Sequence, residues 1–446
     1  MKILQVVHSF IPYTMAGTEV YSYRLSKELS KQHQVFVFFR VNLAKEKEYA
    51  LIYNKLDELE TYAINHTFRF CNSFKATYSD EAINKKFGEL LDKIKPDIVH
   101  IHHLLFLSHG IVREIKKRNI PIVYTLHDYW LICYRGQLVK DDLTVCTVNS
   151  ISQCRECLKY LLVIKNYAMF LYRLLRRNAP PFLLGLLKKF YLGISTAQSL
   201  KEIEKLKNSR EELFSKIDLF IAPSNFIKNE FIKHGLVGDK IIYSAYGFDS
   251  NGLFSLGKSE SSILRFGYLG TLLPMKGVDI LISAFKGIDN KNTKLLIYGK
   301  LFCYSNFEYY PGFLKKSIGN DSRIELKGGY DNKDVGKILS NIDVLIVPSI
   351  WLENSPLVIQ ESFLAKTPVI ASRIGGIPEL VSDGINGLLF NPGDSGDLKE
   401  KMQYIIDSPG VLKKFRENMP KVKAIADNAK ETQETYSKLI ARNKGR

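Results

Sequence analysis

The stretch VPSIWLENSPLVIQESF, which runs from Val347 to Phe363, combines an apolar strand, a short loop and the beginning of a helix. Ser355 is predicted to cap this helix, and Pro356 suits its first position because no intrahelical partner is needed there. The backbone N–H groups of Leu357 and Val358 then lack intrahelical acceptors and lie at the positive end of the helix dipole. The stretch therefore predicts a phosphate site at the helix N-terminus.

Two glutamates flank this helix start. Glu353 precedes it, and Glu361 lies more than one turn inside the helix. A carboxylate repels a phosphate, so we expect each glutamate to bind neutral hydroxyl groups, such as those of sugars, on either side of the phosphate. The alternative interpretation is that Glu353 is an ordinary loop acid and Glu361 a solvated helix residue.

Short apolar strands alternate with helical segments on both sides of this stretch. The predicted strands are 3–7, 35–39, 98–101, 122–126, 219–222 and 241–243, followed by 264–269, 294–298, 324–327, 344–347 and 369–371. This βα alternation predicts an α/β protein with two doubly wound parallel sheets facing across a cleft. We expect an N-terminal domain over 1–249 with an insertion at 128–216, a Gly- and Ser-rich linker over 250–262, and a C-terminal domain over 263–446. The last helix is expected to pack back on the N-terminal domain.

Composition and charge narrow the class of protein. Of the 446 residues, 46% are hydrophobic and 24% charged, which is ordinary for globular proteins and argues against a disordered or fibrous chain. A Gly-x-Gly-x-x-Gly turn and a P-loop are both missing, which argues against dinucleotide dehydrogenases and P-loop ATPases. The net charge of +17 indicates an anionic partner such as a nucleotide, a nucleic acid or a membrane surface. The N-terminus predicts a buried strand rather than a signal peptide, so we expect a cytoplasmic protein.

The stretch 347–363 resembles the Glu-x7-Glu motif of the retaining glycosyltransferases of family 4, which have the GT-B architecture of two Rossmann-like domains. The resemblance continues through 367–381 and 386–390. It implies that Glu353 contacts hydroxyls of the donor sugar, that Glu361 binds the nucleotide ribose, and that the helix N-terminus between them binds the diphosphate. The resulting candidates for donor binding are Asn354, Ser355, Leu357, Val358 and Glu361.

Two further loops of the C-terminal half agree with the family. Lys276, after the strand 264–269, resembles the basic residue that faces the leaving diphosphate, although a lone lysine is more often a solvated surface charge. Many relatives carry arginine where this chain has Thr271, so we expect Lys276 alone to neutralise the charge of the diphosphate. Tyr330, in the Gly-Gly-Tyr that follows the strand 324–327, lies where the family binds the base, and a simple turn is the alternative.

The N-terminal half supplies the other face of the expected cleft. Gly17, in the loop after the first strand, allows the backbone to approach a diphosphate closely, and Thr18 is predicted to cap the next helix. His127 ends the strand 122–126 and resembles the active-site histidine of the family, and His102 is a second candidate at a strand end. The carboxyl ends of parallel strands line the cleft of such sheets, which favours function over an ordinary core histidine.

Cys133, Cys146, Cys154 and Cys157 have the spacing C-x12-C-x7-C-x2-C just after His127. Four soft ligands could close a tetrahedral structural zinc site, but a single C-x2-C is weaker evidence than two. A zinc site and four reduced cysteines both remain open. We expect no cofactor for catalysis, because the family usually works without a metal.

The stretch 159–189 is basic and apolar and contains no acidic residue. This composition suits an interfacial helix on an anionic membrane, which would place the protein on the inner face of the membrane. A packed helix pair with a solvated basic face is the alternative. Nucleic acid is a less suitable partner, because no RNA- or DNA-binding module is recognised. The cations of the stretch are Lys159, Lys165, Arg173, Arg176, Arg177, Lys188 and Lys189.

The function expected from the resemblance is the hexosyltransferase-like transfer of a sugar from a nucleoside-diphosphate sugar to a hydroxyl of a glycan or lipid-linked acceptor. A role in cell-surface polysaccharide or glycolipid synthesis would follow. No dedicated nucleophile is obvious, so the resemblance implies same-face attack assisted by the leaving phosphate. A non-catalytic sugar-nucleotide or glycan-binding protein and a GT-B sugar-nucleotide epimerase are the alternatives, and the intact spacing of Glu353 and Glu361 disfavours both.

Overall fold

The structure of the chain is a computed structural model that describes residues 1–69, 73–140, 142–147, 150–162, 196–249, 261–301 and 307–445, without the side chains of 159–162 and 196–199. Most of the predicted linker 250–262 lies outside the described residues. The basic side chains of 159–189 also lie outside them, so the interfacial helix stays a prediction. In the part that is described, no helix is long and apolar enough to cross a membrane.

The N-terminal half forms an eight-stranded sheet. Its strands are β1 (Lys2–Val6), β2 (Gln34–Val41), β3 (Leu51–Leu56), β4 (Leu59–Asn65), β5 (Ile98–Ile101), β6 (Ile122–Thr125), β7 (Leu219–Ala222) and β8 (Ile241–Tyr243). They run in the order β3-β4-β2-β1-β5-β6-β7-β8, and every neighbouring pair is parallel except β3 with β4. The central strands are almost entirely buried because helices cover both faces of the sheet, and most of their residues are apolar.

The hairpin of β3 and β4 is an addition to the predicted strands. Leu56 pairs with Leu59 across a two-residue turn, in which Asp57 adopts a positive φ of 50°. The middle of β3 is exposed, as befits an edge strand with one solvated face. Its residues do not alternate between apolar and polar side chains, which explains why the sequence pattern does not predict it.

The helices of the N-terminal half connect these strands. They are α1 (Gly17–Leu29), α2 (Glu81–Ile94), α3 (Ile111–Lys116), α4 (Ile151–Leu162), α5 (Thr196–Lys216) and α6 (Asn225–Lys233). The predicted cap of α1 at Thr18 is wrong, because the helix begins at Gly17 with Ala16 in the cap position. Ala16 offers the helix no side-chain acceptor, and Glu19 Oε2 instead accepts a hydrogen bond from the backbone N–H of Ala16 at 3.2 Å.

The C-terminal half forms a six-stranded, fully parallel sheet. Its strands are β9 (Leu264–Leu269), β10 (Thr293–Tyr298), β11 (Ile324–Gly328), β12 (Val344–Val347), β13 (Val369–Ser372) and β14 (Gly387–Phe390). The order β11-β10-β9-β12-β13-β14 is the 3-2-1-4-5-6 order of a Rossmann fold. Its helices are α7 (Val278–Lys286), α8 (Tyr310–Ile318), α9 (Val335–Ser340), α10 (Leu357–Leu364), α11 (Ser395–Asp407), α12 (Val411–Glu417) and α13 (Ile425–Lys444). The predicted α/β class with two parallel sheets is confirmed.

The last helix, α13, returns to the N-terminal sheet. Its apolar side chains Ile425, Ala429 and Tyr436 are buried in the same core cluster as Ile3 of β1 and Phe248. Tyr436 is fully buried, and its hydroxyl reaches the polar side chains under the sheet. Helix α13 therefore contributes to the core of the N-terminal domain.

Candidate functional site

The C-terminal sheet changes direction between β9 and β12, and the loops after these two strands meet there. Open α/β sheets bind ligands in the crevice at such a switch point. Lys276 follows β9, Glu353 follows β12, and the lysine Nζ lies 2.7 Å from the glutamate Oε1. Gly277 permits this approach, because a Cβ at its φ of 67° would collide with the carbonyl oxygen of Pro348. The two residues predicted on chemical grounds form an ion pair.

The carboxylate of Glu353 is held in one orientation. Its Oε1 accepts hydrogen bonds from Ser349 Oγ at 2.7 Å and from Trp351 Nε1 at 2.8 Å, in addition to the contact with Lys276. The lysine Nζ also lies 4.8 Å from the centre of the Trp351 ring. Among the described residues nothing donates to Oε2, so this oxygen can accept from a ligand hydroxyl.

Helix α10 begins one residue later than the sequence pattern predicts. Pro356 occupies the cap position, and the predicted cap Ser355 instead accepts a hydrogen bond from Gln360 Nε2 at 3.2 Å. Proline offers no side-chain acceptor, so the first N–H groups of α10, those of Leu357 and Val358, are not capped by it. The predicted anion site keeps its donors, although the cap assignment is wrong.

The beginnings of helices α1 and α10 face each other across the cleft. A Cβ built on Gly17, the first residue of α1, would lie 3.6 Å from Cδ1 of Leu357, the first residue of α10. Both helix dipoles therefore place their positive ends at the same gap. This arrangement suits a group with more than one negative charge, such as a diphosphate.

Glu361 lies inside α10 and is buried. Arg24, on α1 of the opposite domain, has its Nη2 3.3 Å from Glu361 Oε1. Burial raises the pKa of the Glu361 carboxyl, and the charge and hydrogen bond of Arg24 partly offset this increase. The ribose-binding candidate is thus paired with a cation that the sequence analysis did not identify.

The other two donor candidates of the C-terminal domain lie in neighbouring loops. Tyr330 is half-buried after β11; burial and then the nearby charge of Glu361 raise the pKa of its phenol. Thr271 is exposed, and its carbonyl accepts a hydrogen bond from Tyr268 at 2.7 Å. Tyr330 therefore lies on the Glu361 side of the cleft, where the base is expected.

His127 lies in the loop after β6, with both ring nitrogens engaged. Its Nε2 is 3.0 Å from Nδ1 of His102, and its Nδ1 is 2.7 Å from the hydroxyl of Tyr246. Burial, followed by the nearby His103, holds the pKa of His127 well below its usual range. The imidazole is therefore neutral near pH 7.

The network behind His127 fixes which nitrogen carries the proton. His102 Nε2 lies 2.8 Å from Gln5 Oε1 and must donate to it, so His102 Nδ1 accepts from His127 Nε2. His127 Nδ1 then accepts from the Tyr246 hydroxyl. His102, the second candidate, is fully buried in this network and orients His127.

Asn354 joins the two domains. Its Nδ2 donates to the carbonyl oxygens of Leu126 at 3.0 Å and His127 at 3.2 Å, and its Oδ1 accepts from Ser224 Oγ at 2.7 Å. The predicted donor-binding role of Asn354 stays a prediction. The geometry gives it a domain-closing role that sequence reasoning missed.

Glu379 makes a second bridge. Its carboxylate accepts from the backbone N–H groups of Asn225 at 2.8 Å and Phe226 at 2.6 Å, at the N-terminus of α6 in the other domain. A carboxylate at a helix N-terminus is stabilised by the helix dipole. The sequence pattern could not predict this contact, because Glu379 lies more than 150 residues after the helix that it contacts. Asn354 and Glu379 therefore join the two domains by polar contacts that both reach the beginning of α6.

The four cysteines lie along one cavity in the N-terminal domain, beside α4 and α5. Burial raises the pKa of the Cys154 thiol to about 11, and the other three cysteines act in the same direction. In the described part of the chain, no group of three or more His, Cys, Asp or Glu side chains is arranged to hold a metal ion. The arrangement does not fit the predicted zinc site, and zinc binding stays a prediction.

The comparisons with known proteins agree with this site. Residues 258–422 match the family described as glycosyl transferases group 1, and residues 15–150 match glycosyltransferase family 4. The two matches together cover more than half of the chain. The chain belongs to glycosyltransferase family 4. The family predicted from the Glu-x7-Glu motif is confirmed.

Three of the curated relatives of this glycosyltransferase have no assigned substrate in their descriptions. It is 36% identical over 201 residues to the uncharacterized glycosyltransferase MJ1178 of Methanocaldococcus jannaschii, a match that covers 45% of this chain and about half, 53%, of the relative. It is 26% identical to MJ1607 of the same organism over 98% of this chain and 95% of the relative. An uncharacterized 42.6 kDa protein in the cps region of Klebsiella pneumoniae is 24% identical over 85% of this chain and 87% of that protein.

Solved structures show the fold of the glycosyltransferase. Sucrose-phosphate synthase from Thermosynechococcus elongatus matches with a TM-score of 0.67 and 16% identity, over 99% of this chain and 100% of that one. HepE from Anabaena, in complex with UDP and glucose, matches with a TM-score of 0.65 and 17% identity, over 98% and 99% of the two chains. The predicted GT-B fold is confirmed.

Proposed function

We propose that this glycosyltransferase moves a sugar, with retention of configuration, from a nucleoside-diphosphate sugar to a hydroxyl of a glycan or lipid-linked acceptor. The observation that carries the proposal is the placement of two carboxylates around one helix N-terminus. Glu353, paired with Lys276, lies on one side of the start of α10, and Glu361, paired with Arg24, lies on the other. A sugar, a diphosphate and a ribose occur in this order in a nucleotide sugar.

The charges of the cleft suit departure of a diphosphate. When the bond to the sugar breaks, negative charge grows on the phosphate and positive charge on the sugar ring. The N-termini of α1 and α10 and the ammonium of Lys276 would stabilise the phosphate by preorganised electrostatics. Glu353 Oε2 would hold a sugar hydroxyl and thereby position the ring for attack.

His127 fits a positioning role better than that of a general base. Both of its nitrogens are engaged within the protein, and burial keeps its pKa low. The absence of an evident base among the described cleft residues agrees with attack from the face of the leaving phosphate, which can itself accept the proton of the acceptor hydroxyl. No enzyme-bound covalent step is needed in this scheme.

The cellular role follows as part of the same proposal. A relative encoded in a cps region supports a role in surface polysaccharide synthesis, and UDP and glucose bound to HepE support UDP-sugars as the first donors to test. We place the reaction in the cytoplasm at the inner face of the membrane. No metal is proposed for catalysis.

The test is a panel of UDP-, GDP-, ADP- and dTDP-sugars with the full-length protein. A donor at 100 times its dissociation constant should stabilise the protein by about 2.7 kcal/mol, which a thermal shift detects. The stabilising donor is then incubated with glycan and lipid-linked acceptors, and the anomeric configuration of the product is read by NMR. Binding without product would favour a sugar-nucleotide-binding protein, and conversion of the donor without acceptor would favour an epimerase.

A further inference from the structure

A cavity of about 700 Å³ lies beside the cleft, between the loop that follows His127 and helices α4 and α5. We call it the cysteine-loop cavity. Its volume is within the range of roughly 300–1,000 Å³ typical of ligand sites. Much of its wall is apolar, contributed by Leu131, Ile132, Val139, Leu158, Ile203 and Leu206.

Arg210 of α5 lines this cavity as a cation without a paired carboxylate. Its Nε and Nη2 are buried and have no hydrogen-bond partner within the part of the chain that the structure describes. Two further buried nitrogens, Trp130 Nε1 and His109 Nε2, also have no partner among the described residues, but neither residue lines the cavity. The Arg210 guanidinium carbon is 5.9 Å from the Trp130 ring centre, which is 5.2 Å from that of His109. Two unpaired donor atoms of one buried guanidinium at a cavity wall indicate that an anion is missing.

The remaining charges of the cavity also favour an anion. Arg135, Lys140, Lys207 and Lys233 line it together with Arg210, against the acids Asp142, Glu156 and Glu211. Apolar walls with a cationic end suit a hydrocarbon chain that carries a phosphate.

We propose that the cysteine-loop cavity binds the phosphate-bearing end of a hydrocarbon chain, as the lipid anchor of the acceptor. The inference rests on the proposed function and narrows its acceptor to a lipid phosphate or diphosphate. Only five residues separate His127 at the cleft from Cys133 at the cavity wall. An anchor held at Arg210 would therefore keep the acceptor beside the donor site while its glycan enters the cleft.

The alternative explanation is that the four neighbouring cysteines, with a bound metal ion, balance the charge of Arg210. A zinc ion bound by Cys133, Cys146, Cys154 and Cys157 would carry two net negative charges and could balance the guanidinium. The thiols of the described structure do not form such a group. The experiment therefore includes a zinc measurement.

The experiment measures binding to the full-length protein by calorimetry, without donor, for farnesyl phosphate, farnesol and inorganic phosphate. We expect farnesyl phosphate to bind at least tenfold more tightly than either of the others. The Arg210→Gln variant should lose at least tenfold in affinity for farnesyl phosphate and keep its affinity for farnesol. Lys205→Gln, an exposed cation on the same helix, should bind like the unchanged protein.

Folding of the variant is checked by thermal unfolding. Removal of an unbalanced buried cation should leave the melting temperature of the ligand-free protein unchanged or raise it. Stoichiometric zinc together with a lower melting temperature of Arg210→Gln would overturn the proposal, and so would equal binding of inorganic and farnesyl phosphate. Donor binding in the thermal-shift panel is independent of these results, so failure of the cavity and failure of the proposed function are distinguishable.

Discussion

Arg24 Nη2 lies 3.3 Å from Glu361 Oε1, and the pair spans the cleft between the two domains. The arginine belongs to the first helix of the N-terminal domain, whereas the glutamate is the residue that the motif assigns to the ribose of the donor. Both side chains are largely buried, so their attraction is weakly screened. A ribose that enters next to Glu361 would therefore meet a carboxyl group that is already oriented by a residue of the opposite domain.

The first prediction concerns this pair. Arg24→Gln should raise the pKa of Glu361 and weaken donor binding by roughly tenfold or more, because loss of one partner of a buried charged hydrogen bond costs a few kcal/mol. Turnover at saturating donor should change little. Arg24→Lys should recover part of the affinity, and Lys27→Gln, an exposed cation on the same helix, should have no effect. Equal donor dissociation constants for Arg24→Gln and the unchanged protein would contradict this role.

The second prediction concerns the pair on the sugar side. Lys276→Ala should lower kcat about a hundredfold, since removal of one preorganised charge next to the leaving phosphate costs on the order of 3 kcal/mol. Glu353→Ala should also act chiefly on kcat, and the double variant should lose less than the product of the two single losses because the residues contact each other. Lys333→Ala serves as the exposed control in the same domain. A loss below threefold for Lys276→Ala would show that other groups neutralise the diphosphate.

The sequence predicts those parts of the site whose residues lie close together along the chain. The strand, loop and helix around Glu353 and Glu361 occur within 17 residues, so their spacing, together with the resemblance to the Glu-x7-Glu motif, predicts two carboxylates around one helix N-terminus. Lys276 could be predicted because it follows a strand at the same edge of the sheet. Local patterns of this kind are independent of how the two domains meet.

The contacts between distant segments could not be predicted in the same way. In the sequence, Arg24 is an ordinary basic residue of an amphipathic helix. Its partner Glu361 lies 337 residues further along the chain, and only the fold brings the two together. Tyr436 reaches His100 over a similar separation. The helix caps fail for a different reason: Ala16 and Pro356 take the cap positions that propensity assigns to Thr18 and Ser355, and a shift of one or two residues changes the local energy little.

The third prediction concerns closure of the cleft. Asn354→Ala removes three hydrogen bonds between the domains, each contributing about 1 kcal/mol. We expect a larger radius of gyration in small-angle scattering without donor and donor binding about tenfold weaker. Ser224→Ala removes one of the three bonds and should show a smaller change in both quantities. Identical scattering curves for Asn354→Ala and the unchanged protein would mean that Glu379 and the other contacts hold the domains by themselves.

The last prediction concerns the buried histidines of the N-terminal domain. Burial lowers the pKa of His8, His102 and His127 well below 6.5, and that of His100 and His109 to about 3. These groups are neutral in the folded protein but protonate in the unfolded chain near pH 6.5, so stability is fully present above that pH and is lost as the pH falls below it. Each such histidine contributes about 1.4 kcal/mol per pH unit to this loss. Denaturant unfolding should therefore show a steep decrease of the unfolding free energy between pH 7.5 and pH 5. In His100→Gln, the slope of the unfolding free energy against pH should be smaller by the equivalent of about one bound proton, whatever the effect of the substitution on stability at pH 7.5. Stability that stays constant down to pH 5, or an unchanged slope in His100→Gln, would contradict the assignment of these imidazoles as neutral.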